Sequence, residues 1–369
     1  MKKNILRNMI VLVLAISFLV GCGQTKQTET SNVKEVQTEV ESEETAQTGT
    51  EEETRVPTGH VATEVNIGYV DATGGGVLSD TLGVARDQGF LQEELDAIGV
   101  KVNWFPMVGA GPAINEALST GDLDIGVLGD VPAILGKSAG VDTQIVSFSG
   151  LYSGGSIVVA PDSDYDSMED LKGKKIATQR GTYLHRILSD ILKDGGMTVD
   201  DIEFVNVTSP EAVEMLLTGN VDAVLVGGVN LTQLVEKGYK VIIDYRENPK
   251  LTGGGYSIAR TKFVEENPDI ILAYVKALIK AQKLAKTDKD ILLKQWESIG
   301  ESADSYEYLY PQHDNYYFIE ATDEIVENGK NVLQFLLDNE LVEEENEFDF
   351  DSWINSTFYE EAYNELGRE

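Results

Sequence analysis

Two stretches of this chain, 98 residues apart, repeat one another. Ile114 to Asp130, INEALSTGDLDIGVLGD, lies over Ala212 to Gly228, AVEMLLTGNVDAVLVGG. Glu116 falls on Glu214, Leu118 on Leu216, Thr120 on Thr218, Gly121 on Gly219, Asp124 on Asp222 and Gly129 on Gly227. Each copy reads as a helix stopped at a Thr-Gly turn, a strand begun by Asp, a glycine, and the next helix. A chain built twice around such a unit folds into two similar halves. Strand and helix in alternation give each half a sheet covered on both sides. The expected class is α/β: two lobes, each with a mostly parallel sheet flanked by helices, and a ligand cleft between them.

The neighbouring segments extend the pattern. EVNIGYV (Glu64 to Val70) alternates into a strand, VLSDTLGVARDQGF is a helix stopped at Gly89, and VKVNWFP is the next strand. GPAINEALSTG, a helix with Pro112 near its start, is followed by the first copy's strand and helix and by a strand in TQIVSFSG. A second series runs through SIVVA, KKIAT, YLHRILSDILKDGG, IEFVNV, PEAVEMLLTGN, VDAVLVGG, NLTQLVEKG and YKVIIDY. Beyond Tyr245, TGGGYSIAR supplies a short strand, and FVEENPDIILAYVKALIKAQKLA reads as one long amphipathic helix. The organisation expected is lobe 1 at 61–153, lobe 2 at 154–248, and a return to lobe 1 with C-terminal helices at 249–369. Segments that cross twice make a hinged molecule.

The first 60 residues belong to neither lobe. Lys2, Lys3 and Arg7 precede an apolar run, Ile10 to Val20, about half the length of a membrane-spanning helix. The run ends Leu19-Val20-Gly21-Cys22, which resembles a bacterial lipobox. That resemblance implies a lipoprotein signal peptide over 1–22, cleaved before Cys22, whose thiol is then acylated. Residues 23–60 are rich in Thr, Glu, Gln and Ser and hold no aromatic ring before the folded part. They cannot bury enough surface to offset chain entropy, so a disordered tether is expected. The tether places the body on the extracytoplasmic face of a cell membrane, and its composition is like that of Gram-positive lipoproteins.

Charge and rare residues exclude several functions. The formal net charge is -34, so nucleic acid and anionic lipid would repel the chain. Its single Cys is Cys22, and its three His residues, His60, His185 and His313, are far apart, so no zinc site, disulfide or cofactor site is suggested. An enzyme would need a nucleophile, base or metal cluster, and none is evident. The strand-to-helix turns offer something else. TGGGV, GDVP, QRGT and the Gly227-Gly228 pair each present backbone N–H groups and the positive end of a helix dipole. Such turns hold an anionic group without converting it.

On these residues the chain resembles a known family. STGDLDIGVLGDVPAILGKSAG, LKGKKIATQRGTYLHRILSDILKDGG, VDAVLV and FVEENPDIILAYVKAL are similar to segments of the aliphatic sulfonate, nitrate and taurine substrate-binding proteins of ABC importers. The resemblance runs from about Val61 to Tyr363. It implies a type II periplasmic-binding fold and a monomer that captures a small solute and delivers it to an ABC permease and its ATPase, without a cofactor. It also implies a ligand cradle of Thr73, Gly74, Gly75 and Gly76, then Gly129, Asp130, Val131 and Pro132. Arg180, Gly181, Thr182, Tyr183 and His185 follow, with Gly227 and Gly228 on the far side. Arg180 is the only cation in these turns, and its planar guanidinium suits a sulfonate. Asp130 is the candidate ammonium partner for a zwitterion such as taurine. Trp104, Phe105, Tyr152 and Tyr256 are candidates for apolar walls. Relatives often carry an aromatic residue and a proline after the second copy's strand, where this chain has GGVNLT. The implied solute is an aliphatic sulfonate or taurine, with nitrate, a thiamine-precursor pyrimidine, or a sensor role outside transport as alternatives.

Overall fold

The computed structural model describes residues 56–71, 76, 78, 80–149, 153–248, 251–298, 302–309 and 319–368. Cys22, the tether up to residue 55, Thr73, Gly74, Gly75, Tyr152 and His313 lie outside the described residues.

Two five-stranded sheets carry the fold. The first holds β1 (Glu64–Val70), β2 (Lys101–Met107), β3 (Ile125–Gly129), β4 (Thr143–Phe148) and β12 (Gly255–Arg260), in the order β2-β1-β3-β12-β4. The second holds β6 (Ser156–Val159), β7 (Lys175–Thr178), β8 (Glu203–Asn206), β9 (Ala223–Val226) and β10 (Lys240–Ile243), in the order β8-β7-β9-β6-β10. In each sheet four strands run one way and the fourth in order, β12 or β6, runs against them. The two sheets therefore share order and strand direction, as the repeat requires.

The repeated residues do the same work in both lobes. The Asp124 carboxylate accepts from the Asn66 N–H at 2.8 Å, and Asp222 accepts from the Lys175 N–H at 2.9 Å. Each Asp thus fastens the start of its own strand to the start of the neighbouring parallel one, β1 or β7. Gly121 and Gly219 stop the preceding helices with φ of 85° and 71°, a region that costs other residues energy. The copies differ at the second carboxylate oxygen: Asp124 pairs with Arg260, whereas Asp222 accepts from the Tyr165 hydroxyl at 3.1 Å.

The helices are α1 (Thr81–Asp87), α2 (Phe90–Ala97), α3 (Ala110–Thr120), α4 (Asp130–Ser138), α5 (Tyr183–Asp194), α6 (Ser209–Leu217) and α7 (Gly228–Glu236). There follow α8 (Thr261–Glu266), α9 (Pro268–Thr287), α10 (Asp290–Ser298), α11 (Ala303–Leu309), α12 (Asp323–Asp338), α13 (Phe350–Trp353) and α14 (Thr357–Leu366). Three differ from the sequence reading. Gly89, at φ 78°, ends α1 but also starts α2, whose Leu91 and Leu95 are buried. The long helix expected from Phe263 is two helices, because the residue before Pro268 resists helical geometry. That residue, Asn267, accepts instead from the Val61 and Ala62 N–H groups at 2.9 and 2.8 Å. The segment after α9 does not all return to the first lobe: α10 packs on α1, but α11 packs on α7 of the second. The Tyr245 hydroxyl, donating to the Leu309 carbonyl, fixes α11 there.

Two chain segments cross between the lobes and pair as a short antiparallel ribbon, β5 (Ser153–Gly154) with β11 (Thr252–Gly253). Both sides grip it. Asp130 in the first lobe donates its N–H to the Gly254 carbonyl at 2.9 Å and accepts from the Gly254 N–H at 2.8 Å. Arg186 in the second donates to the Thr252 carbonyl and to the Asp190 carboxylate, the latter at 2.8 Å. The ribbon is packed on glycine: a Cβ on Gly154 would sit 1.9 Å from the Tyr245 ring, and one on Gly253 2.7 Å from the Tyr183 Cβ.

Candidate functional site

Between the sheets lies a cleft of about 410 Å³, within the usual range for small-molecule sites. Its walls are the carboxyl ends of the parallel strands and the helix starts that follow them, as open α/β sheets dictate. Asp80, Ala110, Gly129, Thr182, Thr208 and Gly227, at the starts of α1, α3, α4, α5, α6 and α7, all line it. Three of these six ends are already satisfied within the protein. Asp80 accepts from the Gly83 N–H at 3.1 Å. In α4 the Val131 N–H is taken by the Asp130 side chain at 2.7 Å. Thr208 and Glu211 cap α6 reciprocally. No side chain caps α3, α5 or α7. Two of these three open ends, α5 and α7, face the cleft from the second lobe.

Asn230, in the first turn of α7, lines the cleft with only 7% of its surface exposed. Its side-chain amide has no hydrogen-bond partner among the described residues. Its amide atoms are not among those sealed from solvent, so they open onto the cleft, where water or a polar solute can take their hydrogen bonds. The residue sits in GGVNLT, the place where an aromatic ring was missing from the sequence pattern. Gly228, at φ 54°, and Gly227 bring this turn against the hinge: a Cβ on Gly227 would lie 2.1 Å from the Gly154 carbonyl oxygen.

Of the residues expected in the cradle, Gly129, Pro132, Thr182, Tyr183, Gly227 and Gly228 line the cleft. Gly76 stands behind the wall, donating to Asp71 and accepting from the Tyr69 hydroxyl, each at 2.8 Å. Val131 is buried in the core beneath α4. Asp130 is fully buried, and its carboxylate is committed to Val131, Gly254 and Asn328, so it holds the hinge and not a solute amine. Arg180 is exposed and lies 4.8 Å over the Phe204 ring, outside the cleft lining. Gly181 donates to the His185 Nδ1 at 3.5 Å. His185 is buried against Phe204, and burial, with the charge of Arg180 second, pushes its pKa down to about 4. It is a neutral structural imidazole at physiological pH. Tyr256 is buried edge-on to Phe148, Trp104 is half-buried beside Tyr69, and Phe105 is 39% exposed; none of them lines the cleft.

Several lining residues had no sequence signal. Asp71 and Asp80 come from the first glycine loop and the cap of α1, Ser149 from the end of β4, and Trp296 from α10. Trp296 reaches the cleft because its indole N–H, donating to Ser305 at 2.6 Å, fixes the ring between α10 and α11. Among the described residues no His, Cys, Lys or Arg lines the cleft, and no cluster of His, Cys, Asp and Glu is placed to hold a metal ion. No described helix is long and apolar enough to cross a membrane.

The NMT1/THI5-like family profile matches residues 81–290. A Bacillus subtilis (strain 168) protein, provisionally named as aliphatic sulfonates-binding, is 28% identical over 60% of this chain and 64% of its own length. The taurine-binding periplasmic protein of Escherichia coli K12 is 28% identical over 56% of this chain and 64% of its own. The match thus spans just under two thirds of these curated relatives. Among solved structures, a periplasmic sulfonate-binding protein from Methylobacillus flagellatus KT superposes with a TM-score of 0.70 at 27% identity, over 84% of this chain and 96% of that one. The fold extends to the desulfurization enzyme DSZB, with a TM-score of 0.67 at 17% identity over 82% of this chain and 99% of that one.

Proposed function

This chain belongs to the NMT1/THI5-like family, and from that premise we propose that it is the solute-binding component of an ABC importer, capturing a small sulfonate between its lobes. The observation that carries the reading is the pair of uncapped helix ends, α5 and α7, facing one cleft beside the unpartnered Asn230 amide. Backbone N–H groups at a helix start and a side-chain amide donate hydrogen bonds to an oxyanion without a full positive charge. Thr182, Tyr183, Gly227 and Gly228 form the oxyanion side, and Gly129 and Pro132 face it from the first lobe. In this reading the solute is held and released, not transformed; the described lining residues include no thiol, imidazole or amine. The names of the relatives, which are binding proteins for sulfonates and taurine, support the same reading.

The rest of the transport cycle follows. Ligand bridging both lobes shifts the β5–β11 hinge toward the closed state in proportion to its differential affinity for that state. A permease with a separate ATPase receives the solute. Acylation of Cys22 holds the protein on the outer face of a Gram-positive membrane as a monomer, and residues 23–60 give it reach. The test is calorimetric titration of the full chain, stripped of carried-over solute and kept in mild detergent. Micromolar or tighter binding of short alkanesulfonates or taurine, with none of nitrate, is expected. Binding of nitrate alone, or of a hydroxymethylpyrimidine alone, contradicts the sulfonate reading, and binding of no solute contradicts the transport reading.

A further inference from the structure

We propose that α10 and α11 form a strap that ties the second lobe to the first and holds the solute-free protein near the lobe spacing seen here, so that a solute meets lobes already drawn together. The inference rests on the reading of a solute held between two lobes and adds what sets their resting separation.

The chain between α9 and α12 leaves the first lobe and comes back. α10 lies on α1, where the Gln295 side-chain amide donates to the Asp87 carboxylate at 3.3 Å. α11 lies on α7 of the second lobe. By Ile319 the chain is on the first lobe again, its carbonyl accepting from the Phe148 N–H at 3.1 Å. The first lobe therefore holds both ends of a segment whose middle rests on the second. The β5–β11 ribbon carries the backbone across; α11 adds a tie made of side chains, which can let go without unfolding either lobe.

Two second-lobe side chains clip α11 down. The Tyr245 hydroxyl donates to the Leu309 carbonyl. The Arg246 guanidinium lies 3.7 Å over the Tyr308 ring and donates to the Tyr308 carbonyl at 3.5 Å. Asp244 aims that guanidinium, accepting from its Nε at 2.9 Å. Between the two helices, the Trp296 indole N–H donates to the Ser305 hydroxyl at 2.6 Å and its ring meets Tyr306 edge-on at 5.9 Å, so α10 and α11 move together. Contacts that cross between two bodies favour the arrangement in which they exist. Neither Tyr245, Arg246 nor Tyr308 lines the cleft, so the clip acts the same way whatever the solute. It enters every affinity as one common factor, the fraction of molecules already at the binding-competent spacing.

The test loosens the clip with Tyr245→Phe and Arg246→Ala together and reads the lobes directly. Spin labels at Glu116→Cys and Glu214→Cys, exposed positions that the repeat makes equivalent on α3 and α6, report the distance between lobes in a full-length Cys22→Ser chain. Without solute, the intact clip is expected to give a narrow distance distribution and the loosened one a longer and broader distribution. In calorimetry, taurine and ethanesulfonate both bind the loosened chain about three- to tenfold more weakly, by equal factors. Arg246→Ala alone, at a partly exposed side chain, moves both readouts the same way by less and keeps the test open if the double variant folds poorly. An unchanged solute-free distance overturns the strap. So do losses that differ between the two solutes by more than about threefold, since a common factor cannot produce them. If neither solute binds the wild type, the sulfonate reading fails, and the distance measurement still decides the strap.

Discussion

Asn230 and Arg180 are the two second-lobe side chains that a sulfonate site would recruit first, and the structure treats them oppositely. Asn230 is buried in the cleft with an unpartnered amide; Arg180 is exposed on Phe204. Asn230→Leu is therefore expected to weaken sulfonate binding by about tenfold or more, since it removes donors that open onto the cleft, and to leave folding intact because no hydrogen bond among the described residues depends on that amide. Arg180→Ala is expected to change affinity by less than about threefold, the size of a screened surface charge effect. Equal losses in a calorimetric comparison would contradict the geometry. His185 makes a prediction in acid. Its folded pKa of about 4 lies below the unfolded value of 6.5, so the unfolded chain binds the proton more readily between them. Stability contributed by the neutral ring is complete above pH 6.5 and is lost as pH falls toward 4. The loss is about 3 kcal/mol at most. His185→Asn should flatten that part of a denaturant-midpoint profile against pH, and an unchanged profile would show that other groups govern it.

At the scale of elements, the 98-residue repeat is what made the fold readable. Its residues fasten neighbouring strands, stop helices and cap the next ones, all within about fifteen positions of one another, so their chemistry shows locally. The elements that escaped are those set by distant partners. One glycine was read as a stop when it also restarts the chain at α2. The break between α8 and α9 depends on Asn267 accepting from Val61 and Ala62, more than 200 residues away. The placement of α11 on the second lobe depends on Tyr245 and Leu309, 64 residues apart. The hinge offers a sharp test of packing at this scale. Gly227→Ala would drive a methyl group to 2.1 Å from the Gly154 carbonyl oxygen, a backbone atom that cannot swing aside. We expect a cost of about 1–3 kcal/mol and a fall in Tm of several degrees. Because the same shift moves the start of α7, sulfonate affinity should fall with it. A variant with wild-type Tm and affinity would refute the close contact.

For the whole molecule, the cleft was foreseeable in outline and not in charge. Six of the cradle residues, all at strand-to-helix turns, line it, because a parallel sheet directs its strand ends and helix starts to one place. Asp71, Asp80, Asn230 and Trp296 were not legible there, since a side chain's exposure to a cavity is a property of the assembled lobes. The net charge of -34 looked like an obstacle to an anionic solute. That repulsion is screened within about 8 Å at physiological salt, and a zwitterion, whose net charge is zero, escapes most of it. The most direct measurement is a crystal structure of the protein in complex with taurine. The account predicts sulfonate oxygens within hydrogen-bond distance of the starts of α5 and α7 and of the Asn230 amide. A taurine bound outside the cleft, or one whose sulfonate lies on Arg180 and not on these helix ends, would contradict it.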